Sequence, residues 1–391
     1  MHHYAHFVYQ FIIQIEVFQM EIESIVQNEY SLLIRFRDGQ AFDLPYMWFK
    51  DHSKSHTDWD HKTHQRVCSA TDLFQSSIPT QITVEEGSKV MIYWQNNHEP
   101  SEYTAQDLYS KLKDGSDHLA QFGIDNQHDI KLWKNIDLIG DAAFRFQFYQ
   151  IQKAADFNQM LMRLKEYGFV VVSECPTTID SVENIANRIG YVRQTIFGGL
   201  WQFSANQNRD DSAYTDLALG SHTDSTYSHD APGLQMLLCC HYDAQGGAST
   251  MVDGFMLANE ILKNRPDLHA LLKDVPIMGR YIGDGVNLAA QRCVLRYNRC
   301  GKLEQVSFNH YDREPLSPHL DNLQQVYEAL VYFETLASSE QYQWKYILKP
   351  GEMIIFDNWR VLHGRDTFVG ERKLAGCYIN REDFESALRL C

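Results

Sequence analysis

The chain has 391 residues, 44% of them hydrophobic and 13% aromatic, enough to bury a sizeable core in two domains or in one large domain with an accessory module. Its 51 Asp and Glu against 35 Lys and Arg leave a formal charge of −16, with no Lys/Arg-rich run. That argues against nucleic acid or an anionic membrane surface as a partner and suits a small cationic ligand. Eight scattered cysteines with no Cys-x-x-Cys pair read as the reduced thiols of a cytoplasmic protein. No apolar run approaches the ~20 residues of a membrane span.

Residues 1–20 are apolar but have neither a basic start nor a small-residue cleavage site, and they lack Arg and Ser. No signal or transit peptide is expected there. The segment reads as an extension ahead of Met20, or as an extra strand or helix. Next, "SLLIRFRDG", "AFDLPYMWF" and "TQITVEEGSKVMIYW" alternate apolar and polar residues between turns, which predicts a small antiparallel β domain over 21–100. A polar, His-rich loop, "KDHSKSHTDWDHKTHQR", interrupts it. Residues 101–135 are mixed and polar and are expected as a connector with helical character.

From 136 to 391 the texture changes. "DFNQMLMRLKEYGFVVVSECP" reads as helix, Gly stop and buried strand, and "TIDSVENIANRIG" as a second helix. Strands are expected in "GLQMLLCC", "ASTMVDGF", "EQVSFNHY", "EMIIFDNW" and "LAGCYIN". "FMLANEILKNRPDLHALLKDV", "LDNLQQVYEALVYFETLASS" and "REDFESALRL" are each expected as one helix. Many strands with a few covering helices and no regular βαβ alternation predict a mainly β fold, a jelly roll flanked by helices.

The tetrapeptide "SHTD" occurs at Ser55–Asp58 and again at Ser221–Asp224, and His-x-Asp recurs at His241–Asp243, His310–Asp312 and His319–Asp321. Side chains two apart on a strand share a face, so any of these pairs could offer a metal two ligands; spacing alone leaves the choice open. "FDNWRVLHGRDTF" supplies a distant His363. Two imidazoles and one carboxylate make the facial triad of non-haem Fe(II), with the opposite face open. Arg372 follows His363 by nine residues. Its planar fork suits the tail carboxylate of a dicarboxylate keto acid whose head chelates the metal.

At these residues the chain resembles the γ-butyrobetaine and trimethyllysine dioxygenases, Fe(II)- and 2-oxoglutarate-dependent enzymes of carnitine biosynthesis. The motifs that carry the likeness are "QTIFGGLWQF", "DSAYTDLALGSHTDSTY", "PGLQMLLCC", "GGASTMVDGF", "FNHYDR", "LKPGEMIIFDNWRVLHGR" and "GCYINREDFESALRL". The trimethyllysine branch is the nearer. The resemblance implies a double-stranded β-helix in which His222, Asp224 and His363 hold Fe(II). Arg372, helped by Ser249, would then hold the far carboxylate of 2-oxoglutarate. It implies an aromatic cage of Phe197, Trp201, Tyr214 and Tyr378 around a trimethylammonium group, and Asp211 and Asn309 at the amino-acid end of the substrate. Phe197 stands where the family usually has Tyr, and His310 where it tends to have Asn. Hydroxylation of trimethyllysine at C3 by a homodimer, with ascorbate as reductant, is the activity implied. γ-Butyrobetaine, or another betaine or amino acid, is the alternative substrate, and a metal-free binding protein is the reading from another class. Ser53, Ser55 and Asp58 fall where the family carries zinc-binding cysteines, so although His98 remains, no structural zinc is expected.

Overall fold

The computed structural model describes residues 20–95, 99–113, 130–140, 142–204, 217–283 and 285–391. The chain divides into two units, Met1–Ser116 and Asp117–Cys391. In the first, period-two apolarity becomes two three-stranded antiparallel sheets. Along Ser31–Phe36 the side chains of Leu32, Ile34 and Phe36 turn inward while Arg35 faces out. This strand lies between Ile22–Gln27 and Ala41–Pro45. The second sheet is Pro79–Glu85, Lys89–Trp94 and Ser101–Thr104, with Val90, Ile92 and Trp94 in the same core. Each such aliphatic side chain contributes about 1.5–3 kcal/mol by leaving water.

Two expectations change here. "AFDLPYMWF" is a strand only to Pro45; Tyr46–Asp51 is a helix with Pro45 as its N-cap. Proline has no N–H for a ladder, so the strand ends there. The strand Ser101–Thr104 and the helix Ala105–Lys113 bury Tyr103, Leu108 and Tyr109 with the first unit's core, so residues 101–113 belong to that unit rather than to a connector. Residues 1–19, 114–129 and His98 lie outside the described residues.

Beneath these sheets Lys50 is 1% exposed and pairs with Asp58 at 2.7 Å. Asp58 also accepts from the Ser55 hydroxyl at 2.8 Å. Ser53 Oγ meets Ser101 Oγ at 2.7 Å, and Ser101 accepts from Trp94 Nε1 at 2.8 Å. Ser53 Oγ also donates to Ser55 Oγ at 3.2 Å, so Ser53, Ser55 and Asp58 are joined in one chain of hydrogen bonds.

The second unit is the expected jelly roll. Its larger sheet runs in the order Trp201–Ser204, Phe368–Ile379, Leu234–Gly246, Met353–Asp357, Phe169–Ser173, Arg145–Gln147, antiparallel except for the last pair. The smaller runs Leu219–His222, Val361–Arg365, Ser249–Asp253, Trp344–Tyr346, all antiparallel. Phe169–Val172, Met236, Leu238 and Ile354–Phe356 fill the main core, and Ala154–Tyr167 packs Met160, Leu161 and Leu164 into it. A second core joins Val252 and Leu362 to the helix Leu323–Ala337. The single helix expected across "FMLANEILKNRPDLHALLKDV" is two, Gly254–Asn264 and Pro266–Asp274. The break falls at Arg265 because the residue before a proline is driven out of the helical region, while proline itself suits a first helical position.

Candidate metal centre and pocket

His222 closes the strand Leu219–His222, and its cross-strand partner is His363 on Val361–Arg365. Opposed residues of an antiparallel pair project to one side of the sheet, and here the imidazole centroids are 4.3 Å apart. The strands approach closely because Gly364 follows His363; a Cβ there would lie 2.7 Å from the Leu219 carbonyl oxygen. Asp224 arrives two residues after His222. The nearest ligand atoms of the three side chains lie within 4.8 Å of one another, the group of metal-ligand type found among the described residues.

Asp224 is held from several directions. Its amide donates to Asn358 Oδ1 at 2.8 Å, and Asn358 Nδ2 donates back to the Asp224 carbonyl at 3.2 Å and to Pro232 O at 3.1 Å. Arg360 then locks the turn ahead of His363. It is 1% exposed, donates to both oxygens of Asp253 at 3.1 and 2.8 Å, and caps the carbonyls of Glu166 and Lys131. A bidentate, fully hydrogen-bonded pair of this kind sets geometry where an unpartnered buried charge would unfold it.

Chemically the donor set fits a divalent metal. His222 Nδ1 donates to the Gly220 carbonyl at 2.9 Å, which fixes the tautomer and leaves Nε2, 3.4 Å from Asp224 Oδ1, as the free lone pair. His363 Nε2 lies 3.6 Å from Asp224 Oδ2. Burial, and then the neighbouring His222, push His363 down to about 4 despite the opposing pull of Asp224, so it is neutral at pH 7. Burial alone would raise the Asp224 carboxyl, but His363, His222 and Tyr378 outweigh it and hold the group well below the usual carboxylate range. An anionic oxygen beside two imidazole nitrogens, without thiolate, suits Fe(II) better than a structural zinc.

Behind this centre Arg372 is 7% exposed, and its Nη2 donates to Ser249 Oγ at 3.3 Å. Among the described residues no carboxylate pairs with it. Burial, followed by repulsion from Arg365, pushes the guanidinium down to about 10, so it stays charged at neutral pH and faces the pocket in want of an anion.

That pocket is lined by the three metal-ligand candidates together with Arg372, Ser249, Phe197, Trp201, Tyr378 and Asn309. Trp201 lies 5.7 Å from Tyr378 and stacks on Phe203 at 5.3 Å. It reaches this position over Gly376, where a Cβ would meet the indole at 2.4 Å. Asp211 and Tyr214 lie outside the described residues. His310 is exposed and does not line the pocket; Asn309 does, with its Nδ2 donating to Asp312 at 2.8 Å. Sequence reasoning missed Asn358, Gln235, Phe203 and Asp312. Asp312 falls in "FNHYDR" as one more His-x-Asp match, and that spacing points to a metal ligand rather than to a pocket wall. Asn358 sits in "EMIIFDNW", and nothing in that run marks an amide that grips another segment's backbone.

Residues 134–378 match the family described as taurine catabolism dioxygenase TauD, TfdA family, and residues 24–109 match a gamma-butyrobetaine hydroxylase-like N-terminal family. The trimethyllysine dioxygenase of Rattus norvegicus, named as mitochondrial, is 31% identical over 93% of this chain and 86% of that protein. The trimethyllysine dioxygenase of Meyerozyma guilliermondii is 25% identical over 94% and 95%. Among solved structures, a putative alpha-ketoglutarate-dependent taurine dioxygenase from Burkholderia xenovorans superposes with a TM-score of 0.47 at 14% identity, over 58% of this chain and 84% of that one.

Proposed function

The chain belongs to the taurine catabolism dioxygenase TauD/TfdA family, and on that premise we propose that it hydroxylates trimethyllysine at C3, using Fe(II) and 2-oxoglutarate. One observation carries the reading. Two imidazoles and a carboxylate converge in the same pocket as a buried guanidinium without a carboxylate partner among the described residues.

His222, Asp224 and His363 would hold the iron. Bound there with 2-oxoglutarate and O₂, it supplies the oxidising power that turns an unactivated C–H into C–OH while succinate and CO₂ leave. The chain's own work is positional. Arg372 and Ser249 take the far carboxylate of the keto acid, since a planar fork satisfies both oxygens of a carboxylate. Phe197, Trp201 and Tyr378 offer aromatic faces to a trimethylammonium group, which has no hydrogen to donate and is held by ring faces instead. Asn309 lies at the amino-acid end, with Asp211 and Tyr214 proposed alongside on the strength of the resemblance. Clamping both ends of an extended substrate selects which carbon faces the metal. No side chain is required as a general base.

Asp312 favours trimethyllysine over γ-butyrobetaine. A carboxylate in the pocket wall suits the α-ammonium of an amino acid, which γ-butyrobetaine lacks. We further propose ascorbate as reductant, a homodimer, and a reducing compartment such as the cytoplasm, the last resting on eight free cysteines. Light scattering tests the dimer. Succinate release by the Fe(II)-loaded protein tests the function, with trimethyllysine, γ-butyrobetaine or no substrate, and His222→Ala as the blank. Stimulation by trimethyllysine, lost in the variant, is expected. Stimulation by γ-butyrobetaine alone would replace the substrate, and iron binding without turnover would leave a binding protein.

A further inference from the structure

Tyr378 stands in the pocket wall as an aromatic face, yet its hydroxyl is already engaged. It donates to Asp224 Oδ2 at 2.8 Å. Gln235 Nε2 donates to the same phenol oxygen at 3.3 Å. The two are cross-strand partners, Gln235 on Leu234–Gly246 opposite Tyr378 on Phe368–Ile379, and they are 5% and 6% exposed. A phenol has one proton. With Gln235 donating into its oxygen, that proton is directed to Asp224, and the three side chains form a relay with a single sense, Gln235 to Tyr378 to Asp224.

The consequence lies in the two carboxylate oxygens. Oδ1 lies 3.4 Å from His222 Nε2 and takes no phenol proton, whereas Oδ2, 3.6 Å from His363 Nε2, is the oxygen to which Tyr378 donates. A carboxylate free at both oxygens could chelate a metal through both and fill one of the positions that a chelating co-substrate and O₂ require. We propose that Tyr378, oriented by Gln235, is a positioning residue that withholds Oδ2 from the metal, so that Asp224 binds through Oδ1 alone and three positions stay open. This rests on the metal site proposed above, but not on the identity of the substrate. Asn358 fixes the backbone of Asp224 and the relay fixes the rotation of its carboxylate, so the two controls are separate.

Tyr378→Phe isolates the hydroxyl because it keeps the ring. Hydrogen bonds that orient a metal ligand typically change metal affinity by about 10–100-fold when removed. Co(II) titration of the full-length protein, followed by calorimetry and by the visible absorption of the bound ion, is the first readout. Tyr378→Phe should change Co(II) affinity by about 10-fold and shift its absorption as the coordination number changes, while the trimethyllysine KM of the Fe(II)-saturated protein moves less than the metal affinity does. Gln235→Glu is the second variant. A carboxylate there can only accept, so it competes for the phenol proton and should reproduce the absorption shift with the ring and its hydroxyl both in place. Unchanged Co(II) affinity and spectrum in both variants would overturn the relay. Failure of the wild-type protein to bind Co(II), or equal binding by His222→Ala, would overturn the metal site and the relay with it. Co(II) binding with no succinate release from trimethyllysine by the Fe(II)-loaded protein would overturn the proposed function but not the metal site, and the ratio of variant to wild-type Co(II) affinity would still decide the relay.

Discussion

The same four residues, Ser-His-Thr-Asp, have opposite fates in the two units. In the first, Ser55–Asp58 form a turn in which the amides of Asp58 and Trp59 both donate to the Ser55 carbonyl, and Asp58 is carried inward onto the Lys50 ammonium. His56 is left exposed beside His61. In the second, Ser221 and His222 are in a strand, and Thr223 bonds in both directions with Phe308. Asp224 there finds two imidazoles and a phenol, and no Lys or Arg among the described residues. One carboxylate has its cation built into the fold; the other is buried with groups that ask for one to be supplied. The tetrapeptides are identical, so what suits the second to a metal is its surroundings, a facing His363 and no internal cation among the described residues.

Asp224→Ala is the sharpest way to separate the two copies. Trimethyllysine-dependent succinate release should fall by more than the roughly 100-fold that loss of an outer hydrogen bond costs, with the melting curve of the first unit unmoved. Activity within tenfold of wild type would sink the metal assignment. Lys50→Met does the reverse. Breaking a buried ion pair should destabilise the first unit by about 3–5 kcal/mol in denaturant unfolding, whereas Lys50→Met with Asp58→Leu should recover most of it. The pair also predicts a pH dependence. Burial by itself would raise Asp58, but Lys50, Ser53 and Ser55 outweigh it and hold the carboxyl below its usual range. A depressed carboxyl contributes stability above its unfolded value, about pH 4, and loses it as pH falls through the lower folded value. Acid unfolding of the first unit should therefore begin below about pH 4 in the wild type, and the double variant should lack that dependence. Phe197→Tyr is the smallest effect. The ring face is kept, so the trimethyllysine KM should change by less than about threefold, and a larger gain would show that the missing hydroxyl weakens the natural site.

Much of both units is legible along the chain because the information is local. Alternation in "SLLIRF" and unbroken apolarity in "FVVV" and "EMIIF" place strands, since burial on one face or two writes itself into neighbouring residues. The helix break at Arg265 is local too, since Pro266 marks it in the chain. Residue types alone named His222, Asp224, His363 and Arg372 as able to meet, but left every His-x-Asp pair standing until the family motifs singled one out.

What the sequence by itself determined is therefore the strands, the chemistry of the ligands and the cation that answers them. What only the tertiary structure decided is which charges face each other. The register of Leu219–His222 on Val361–Arg365 sets His222 opposite His363, a fold of the first unit brings Lys50 to Asp58, and the pairing of Leu234–Gly246 with Phe368–Ile379 puts Gln235 beneath Tyr378. The reason is physical: a buried carboxylate responds to whatever lies within a few ångströms in space, and residues 141 or 154 positions apart leave no period in the chain by which that distance could be read.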